Sequence, residues 1–453
     1  MDILQNILGF VVAIGVLVAF HEYGHFWVAR RLGVKVLRYS IGFGKPLWTW
    51  RRGADETEYV ISAIPLGGYV KMLDEREGEV DPSELHPAFN RKPVAVRTAI
   101  VAAGPIFNFL FALACYWLVF VVGSEVVKPV VGEVLPETPA AAAGFEPGDQ
   151  LIAVGRDEVN GWEQALLALV DASVSGGTAA VDVRRADGSV AQRELDMSSV
   201  GGLDPDTDFL GTLGFRPWVP ELPPRIGQVL AGSPAEEAGL RAGDLVRAVE
   251  GIEVGDWEAL VAEIRARPGA EVALRVDQAG VEREVRARLA MQEQGGERIG
   301  SLGVAPEIPE DLYAGMTEQL RYGPLAAVAE SAQATWQASL LTLKVLWQML
   351  IGEASLKNLS GPLNIAQYAG ESVGMGVLPF LKFLAIVSIS LGVLNLLPVP
   401  VLDGGHLLYY GVEAVRGRPL SDRAQQFGQE VGIVLLGLLM VVAFYNDIVR
   451  LTG

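Results

Sequence analysis

Four long apolar stretches constrain the fold of this chain more than any other feature. They cover residues 3–29, 96–122, 376–398 and 427–445. Each stretch is long enough to cross about 30 Å of hydrocarbon as a helix. Apolar residues make up 50% of the chain and its mean hydropathy is +0.31, both high for a soluble protein. We therefore predict a polytopic α-helical membrane protein with four transmembrane helices.

Basic residues between the apolar stretches predict how the chain crosses the membrane. One basic cluster follows the first stretch, and another lies between the third and fourth stretches. Because loops rich in Lys and Arg stay in the cytoplasm, both loops are expected on that side. An even number of spans then puts both termini, and the region between the second and third stretches, on the outer face. The basic residues are Arg30, Arg31, Lys35, Arg38, Lys45, Arg51 and Arg52 in the first loop, and Arg416, Arg418 and Arg423 in the other.

Charge and cysteine content exclude one class of function and say little about redox conditions. The formal net charge is -18 and the isoelectric point is about 4.8, with most of the negative charge in residues 126–310. Nucleic acid is excluded as a partner, because its binding requires a clustered basic face. The N-terminal stretch lacks the basic start and cleavage pattern of a signal peptide, so we expect it to remain as an anchor. Cys115, the single cysteine, is interpreted as a core or lipid-facing residue.

The region between the second and third stretches contains an internal repeat with an offset of 95 residues. Gly-Glu-Val-Leu at 132–135 matches Gly-Gln-Val-Leu at 227–230. Each copy predicts a strand, a short helix ended by Gly144 or Gly239, and a Gly-Asp turn before a second strand. The pattern resembles a tandem pair of PDZ-like domains at 126–220 and 221–309, and the alternative is a duplicated β-rich spacer. Further matches are Pro139-Ala140 with Pro234-Ala235, Gly148-Asp149 with Gly243-Asp244, and Trp162 with Trp257.

The segments around this repeat have their own patterns. Residues 31–95 contain strand-like segments at 34–45 and 58–73, followed by an acidic, irregular stretch at 74–93. They predict a cytoplasmic-side β-hairpin element and a loop. Residues 310–375 predict an amphipathic helical region whose Trp336 and Trp347 face lipid. The predicted spanning regions are 1–30, 96–123, 376–400 and 427–447, with a site segment continuing from the third as far as 406.

His21-Glu22-Tyr23-Gly24-His25 forms an H-E-x-x-H motif within the first spanning helix. Spacing i and i+4 puts both imidazoles on one helix face, about one turn apart, where they can bind one zinc ion. Glu22 lies to the side, where its carboxylate can take a proton from water activated by the metal. Ionisable residues are costly inside a membrane and indicate function there. The alternative is that these residues mark the interfacial end of the helix.

A carboxylate far away in the sequence completes the predicted metal site. Catalytic zinc sites usually have three protein ligands and a water, so two histidines leave the zinc short of one. Asp403 follows Pro398 and Pro400, which prevent ordinary helix continuation, and precedes Gly404-Gly405, which permits unusual backbone angles. We predict that this segment turns Asp403 inward as the third ligand. The alternative is a helix-ending turn that Asp403 caps.

The combination of these motifs resembles the site-2 protease family of intramembrane zinc metalloproteases. H-E-x-x-H lies in the first helix, N-x-x-P-x-x-x-L-D-G lies at residues 395–404, and the repeat is inserted between the second and third helices. The resemblance covers nearly the whole chain. It implies Zn²⁺ as cofactor and peptide-bond hydrolysis inside the bilayer. By resemblance the zinc ligands are His21, His25 and Asp403, the catalytic base is Glu22, and a substrate-orienting or oxyanion-stabilising group is Asn395.

The resemblance also implies substrate contacts, partners and location. Gly42-Phe43-Gly44 and Gly67-Gly68-Tyr69 match membrane-associated β-structure that helps to bind substrate in the family. The implied substrates are single-pass membrane proteins, namely trimmed anti-sigma factors and leftover signal peptides, and the implied location is a bacterial inner membrane. Ser390 departs from the family pattern, where asparagine is expected. His86 and His406 are not expected to be ligands.

Two other classes of protein share part of this pattern. A polytopic transporter or ion-binding protein also has buried Asp, Glu and His, but it is expected to show inverted repeats in its helices, which we do not find. An inactive membrane scaffold with a PDZ pair that tethers partners gives no reason for three ligands beside a base. An intramembrane metalloprotease accounts for all of these features.

Overall fold

The computed structural model describes residues 3–53, 55–76, 78, 85–198, 208–294, 297–309, 315–352 and 354–452. The helices are α1 Ile3–Arg31, α2 Val94–Val122, α3 Pro139–Ala142, α4 Trp162–Ser175, α5 Phe209–Leu213, α6 Pro234–Glu237, α7 Trp257–Arg265, α8 Pro324–Ile351, α9 Pro362–Met375, α10 Val377–Leu396, α11 Asp403–Arg416 and α12 Asp422–Thr452. The strands are β1 Val36–Arg52, β2 Thr57–Met72, β3 Ser124–Val127, β4 Val131–Val134, β5 Gln150–Val154, β6 Asp157–Glu158, β7 Thr178–Arg184, β8 Val190–Asp196, β9 Phe215–Pro217, β10 Ile226–Val229, β11 Leu245–Val249, β12 Ile252–Glu253, β13 Glu271–Gln278, β14 Val281–Arg288, β15 Ala290–Gln294, β16 Glu297–Ser301, β17 Val304–Pro306 and β18 Thr317–Leu320.

The four predicted spanning helices are present. Helices α1, α2, α10 and, in α12, residues Arg423–Arg450 are long and apolar enough to cross a membrane, which confirms the prediction of a polytopic membrane protein. Buried side chains of α1, α2 and α10 form one core cluster that includes Leu17, Cys115 and Ile389. Helix α12 packs against the connection between α10 and α11, so closely that a Cβ at Gly432 would stand 2.1 Å from the Pro400 carbonyl oxygen. Three helices thus form the buried centre, and the fourth contacts the connection that leads to α11.

Strands β1 and β2 form a small sheet next to α1. Both strands bend, so that they provide four segments lying side by side in the order 46–52, 57–62, 36–41 and 68–72. Each outer segment pairs antiparallel with its neighbour, whereas 57–62 and 36–41 run in the same direction. Positive φ angles at Gly42 and Gly44 accompany the bend in β1. Segment 68–72 is an edge, because among the described residues it pairs with segment 36–41 alone. The predicted loop at 74–93 lies partly outside the described residues, and within it Phe89–Arg91 is a 3-10 helix.

The half-buried carboxylate of Glu58 joins three segments of this sheet. Glu58, in segment 57–62, accepts hydrogen bonds from Arg38 Nε at 2.9 Å and from Arg51 Nε at 3.0 Å. The guanidinium groups of Arg51 and Arg38 hold the pKa of the Glu58 carboxyl below its ordinary value. Because the two arginines come from the two segments that flank Glu58, the charged cluster favours the bent arrangement of the sheet.

Two β-rich units with the same strand order lie between α2 and α8. Sheet order β6-β5-β7-β8 in the first unit corresponds to β12-β11-β13-β14 in the second. Each unit has its own buried core, one around Leu151 and Phe215 and the other around Val246 and Leu274. The internal repeat therefore corresponds to two copies of one small fold.

A short two-stranded neck joins these units to the helices. Strand β3, which leaves α2, pairs antiparallel with β18, which leads to α8, and Val127 is the partner of Thr317. The first unit also contacts the helices through polar side chains: Lys382 Nζ lies 3.1 Å from Glu163 Oε2, and Lys344 pairs with Asp171. The entry and exit of the inserted region are thus adjacent, and the first unit rests against α8 and α10.

Helices α8 and α9 run between the neck and α10. Helix α8 has Ala327, Ser331 and Thr335 on its buried side and leaves Trp336 and Trp347 exposed. The N-terminus of α9 is held by Asp447 of α12, whose carboxylate accepts hydrogen bonds from the backbone N–H groups of Gly361 and Leu363, each at 2.9 Å. This contact joins α12 to α9.

Candidate metal centre

Helix α1 presents the two histidines of H-E-x-x-H on one face. His21 Nε2 and His25 Nε2 lie 3.3 Å apart, and the two rings are nearly perpendicular. His25 Nδ1 lies 2.9 Å from the backbone oxygen of Ile100 in α2, so that this nitrogen donates the hydrogen bond and Nε2 faces the site. The neighbouring helix therefore fixes the tautomer that a metal requires.

Asp403 reaches the same place from the first turn of α11. Helix α10 ends at Leu396, and the connection to α11 includes Val401 in a left-handed conformation with φ of 88°. This is a strained angle for a β-branched residue. The strain is held by tight packing, since a Cβ at Gly404 would stand 2.1 Å from the Leu397 carbonyl oxygen. Asp403 begins α11 and the N-cap is Leu402, so the alternative of a capping Asp403 is not what the structure shows.

The expected reason for Gly404-Gly405 was wrong. We expected unusual backbone angles, but both residues lie in α11 and neither has a positive φ. A Cβ at Gly405 would stand 2.5 Å from the Val399 carbonyl oxygen, close to the contact made at Gly404. These glycines are required because the connection packs directly on the start of α11.

The three ligand atoms form a nearly equilateral triangle. Asp403 Oδ2 lies 3.3 Å from His21 Nε2 and 3.5 Å from His25 Nε2. A tetrahedral zinc ion with metal–ligand distances of about 2.0–2.1 Å has ligand–ligand edges of about 3.4 Å. Asp403 Oδ2 is buried and has no hydrogen-bond partner in the described part of the chain, as expected of an atom whose partner is a metal. Among the described residues these three make the one group of His, Cys, Asp and Glu able to hold an ion.

Glu22 lies beside this triangle in a large polar cavity. The cavity has a volume of about 1090 Å³ and is lined by all three ligand residues and by Glu22. Glu22 is 9% exposed and is not part of the metal-binding group. The cavity gives room for water and for an extended peptide, and the Glu22 carboxylate lines it together with the three candidate ligand residues.

The predicted substrate residues fall into two sets. Asn395, Gly68 and Tyr69 line the cavity, whereas Gly42, Phe43, Gly44 and Gly67 are not among its lining residues. Gly68 lies against the site, since a Cβ there would stand 3.0 Å from Cγ of Glu22. Phe43 stacks on Tyr69 with ring centroids 6.2 Å apart, so its contact with the cavity is indirect. The edge segment 68–72 is the part of the sheet that faces the metal centre.

Three residues that were not predicted to be ligands, His86, His406 and Ser390, differ in their distance from the site. His86 is exposed, and His406 lines the cavity without belonging to the metal-binding group. Ser390 is half-buried and donates a hydrogen bond to the Ile386 carbonyl oxygen of its own helix at 3.1 Å. Nothing in these contacts gives Ser390 a part in the site.

Sequence reasoning missed the contribution of α2. A Cβ at Gly24 would stand 2.5 Å from the Ala103 carbonyl oxygen, so α1 and α2 touch at the motif. Arg97, also of α2, pairs with Glu413 of α11 at 2.6 Å and lies over the Tyr410 ring. Both members of this pair line the cavity. The sequence signal was present as a charged residue at the start of an apolar stretch and as Gly24 between the two histidines.

Known proteins are similar in sequence to this chain over its whole length. The sequence matches peptidase family M50 over residues 9–439. It is 43% identical over 456 residues to the regulator of sigma-E protease RseP of Salmonella typhimurium, and 42% identical over 457 residues to the protein of the same name from Escherichia coli, covering 100% of each chain in both cases. It is also 42% identical over 459 residues to the protease RseP of Yersinia pestis, again over 100% of both chains. The predicted resemblance is confirmed: the chain belongs to peptidase family M50, the site-2 protease family of intramembrane zinc metalloproteases.

Proposed function

We propose that His21, His25 and Asp403 hold the zinc ion of this metalloprotease and that Glu22 is its catalytic base. The observation that carries the proposal is the triangle of ligand atoms, with edges of 3.3, 3.3 and 3.5 Å, at the wall of a cavity that also contains Glu22. When bound, zinc supplies a Lewis acid for the scissile carbonyl and lowers the pKa of the attacking water.

The chain's own groups handle the proton and the substrate. The Glu22 carboxylate accepts the proton of the attacking water and passes it to the leaving nitrogen. Asn395, which lines the same cavity, donates a hydrogen bond to the substrate or to the developing oxyanion. Both roles need side chains that face the cavity, and Glu22 and Asn395 both line it.

The edge segment 68–72 offers a way to bind an unwound substrate. A transmembrane helix hides its carbonyl groups in hydrogen bonds, so cleavage requires local unwinding. An extended substrate can regain backbone hydrogen bonds by adding a strand to an exposed sheet edge. Segment 68–72 has such an edge, and its Gly68, Tyr69 and Val70 line the cavity. Gly42, Phe43, Gly44 and Gly67 support this segment from within the sheet, with Phe43 stacked on Tyr69.

The substrates follow from the relatives. Two relatives are named regulators of sigma-E protease, and we assign this chain the same role in a bacterial inner membrane. Its substrates are then single-pass membrane proteins, namely anti-sigma factors already trimmed on the outer face, together with leftover signal peptides. The basic loops after α1 and after α11 support an orientation with the metal centre toward the cytoplasm and both termini on the periplasmic side.

The two β-rich units act as PDZ-like domains in a size filter. Their shared strand order and the neck formed by β3 and β18 make them a separate inserted region, whose first unit contacts α8 and α10. On the outer face, this region would collide with a substrate that still has a large outer domain. The competing idea is that the units bind the new C-terminus of a trimmed substrate.

The rival classes explain the site less well. A transporter requires buried charges but not three ligand atoms at tetrahedral spacing, and an inactive scaffold requires neither.

The discriminating experiment is cleavage of a model single-pass substrate by Glu22→Gln. We expect zinc content and fold to match the unaltered protein while cleavage is almost abolished, because only the base is lost. Glu75→Gln, which removes a carboxylate paired with Arg91 outside the cavity, is the matched control and should cleave normally. Cleavage at the normal rate by Glu22→Gln would remove Glu22 from the mechanism.

A further inference from the structure

Asn108 of α2 is buried between the metal centre and α10. Its side chain is fully buried, and its Nδ2 lies 3.2 Å from His21 Nδ1. Its Oδ1 is also buried and, within the residues that the structure describes, has no hydrogen-bond partner. A buried amide oxygen without a donor is unfavourable, and native structures contain few such groups. Asn108 is therefore a polar residue inside a spanning helix for which the roles assigned so far give no reason.

The position of the proton on the His21 ring decides whether the Asn108 amide donates or accepts the hydrogen bond between them. His21 Nε2 faces His25 and Asp403, so this is the nitrogen that can bind the metal. It must then carry a free electron pair, and the single proton of the neutral ring lies on Nδ1. Among the described residues, the Asn108 amide is the group at hydrogen-bond distance from Nδ1. An Nδ1–H needs an acceptor, which the amide supplies through Oδ1 and not through Nδ2.

A half-turn of the amide satisfies this requirement. The oxygen and nitrogen of an asparagine amide have nearly the same size, so rotation about the terminal bond exchanges them with little change in packing. After the exchange, Oδ1 accepts the hydrogen bond from His21 Nδ1–H and is no longer without a partner. His25 already has the equivalent contact, since its Nδ1 lies 2.9 Å from the Ile100 carbonyl oxygen. Helix α2 would then supply one acceptor to each histidine.

We propose that Asn108 is a positioning residue of the metal centre, which accepts a hydrogen bond from His21 Nδ1–H through Oδ1 and so holds His21 in the tautomer and orientation that bind zinc. The proposal rests on the assignment of His21 as a ligand made above. Groups of this kind raise the basicity of the ligand, and their loss typically weakens metal binding by roughly 10–100-fold.

The contact on the other side of Asn108 provides a control. Ser388 of α10 is fully buried and donates a hydrogen bond to the backbone oxygen of Asn108 at 2.8 Å. Ser388→Ala removes a buried hydrogen bond from the same junction of α2 and α10 without touching the Asn108 amide. A general loosening of this junction and a specific loss of the His21 contact can thus be told apart.

The test compares zinc affinities of the purified full-length protein by competition with a chelator. Asn108→Leu keeps the size but provides no acceptor, and we expect its zinc affinity to fall by roughly 10–100-fold. Asn108→Asp provides an acceptor that cannot donate, and we expect it to bind zinc at least as tightly as the unaltered protein. Ser388→Ala should leave zinc affinity unchanged. The absorption spectrum of the Co²⁺-substituted protein should change in Asn108→Leu and be restored in Asn108→Asp.

Two results would overturn the proposal. One is zinc affinity in Asn108→Leu equal to that of the unaltered protein. The other is an affinity in Asn108→Asp as low as in Asn108→Leu, which would mean that donation from Nδ2 or packing matters instead. His21→Ala separates the underlying assignment: if that variant retains zinc, His21 is not a ligand and the proposed function fails together with the role of Asn108. If His21→Ala loses zinc while Asn108→Leu keeps it, only the role of Asn108 fails.

Discussion

Gly104 of α2 lies so close to His25 of α1 that a Cβ at position 104 would stand 2.3 Å from Nε2 of the imidazole. The same Cβ would stand 2.8 Å from Cε1 of His21. Both predicted ligands therefore rest on a position where a side chain has no room. The spacing of the ligand atoms depends on the close approach of α1 and α2 at this glycine.

Gly104→Ala should lower zinc affinity, because the added methyl group must push one or both imidazoles away from Asp403. Gly15→Ala is the matched control. Gly15 also lies in a spanning helix, but an added Cβ there meets nothing within 4 Å. Chelator competition on the two purified variants should show weaker zinc binding for Gly104→Ala alone. Equal affinities would mean that the contact between α1 and α2 adjusts without affecting the site.

The predicted site depended on local spacing, and the part that was missed depends on contacts between helices. H-E-x-x-H fixes two ligands one turn apart on any helix, so α1 could be interpreted without knowing its neighbours. Asp403 could be predicted because it is a carboxylate among turn-forming residues beside an apolar stretch. Gly104 and Asn108 belong to an apolar helix with no motif, and their importance comes from packing against His21 and His25 of another helix, far away in the sequence.

The small sheet also shows that local sequence patterns do not reveal contacts between elements. Strand-like residues and glycines at 42, 44, 67 and 68 predicted β-structure beside α1, and the structure has it there. The pattern could not reveal that both strands bend to give four segments, or that 68–72 is the edge facing the cavity. That arrangement depends on the Glu58 cluster and on the close contact of Gly68 with Glu22. As a result, only Gly68 and Tyr69 of the six predicted residues line the cavity.

The Arg97–Glu413 pair should contribute to stability in a way that a double variant reveals. The two side chains are 11% and 14% exposed and join α2 to α11, the helix that begins with Asp403. Glu413→Leu leaves the Arg97 charge buried without its carboxylate and should cost about 3–5 kcal/mol. The double variant Arg97→Met/Glu413→Leu removes both charges and should cost much less. Denaturation of the purified proteins measures this difference, and a loss in the double variant as large as that in Glu413→Leu would contradict the expected cost of leaving the Arg97 charge without its partner.

The neck gives a clean way to test the size filter. Val127 and Thr317 are partners across β3 and β18, so residues 128–316 can be replaced by a short Gly/Ser linker that closes a hairpin. We expect this variant to cleave trimmed substrates and, unlike the full chain, untrimmed ones as well. The measurement is the cleavage rate of a matched pair of substrates with and without an outer domain. If a well-folded variant no longer cleaves the trimmed substrate, the size-filter hypothesis is contradicted. That result would favour the competing idea that the units bind the new C-terminus of the trimmed substrate.

The most direct test of the account is the zinc content of Asp403→Ala. Asp403 Oδ2 completes the ligand triangle, and two histidines alone leave the coordination incomplete. Asp74→Ala is the control, because Asp74 is a buried carboxylate on the same cavity that is paired with Arg76. We predict about one zinc per chain in the unaltered protein and in Asp74→Ala, as expected for a single catalytic site, and strongly reduced zinc in Asp403→Ala. Full zinc retention by a folded Asp403→Ala, or its loss from Asp74→Ala instead, would contradict the assignment.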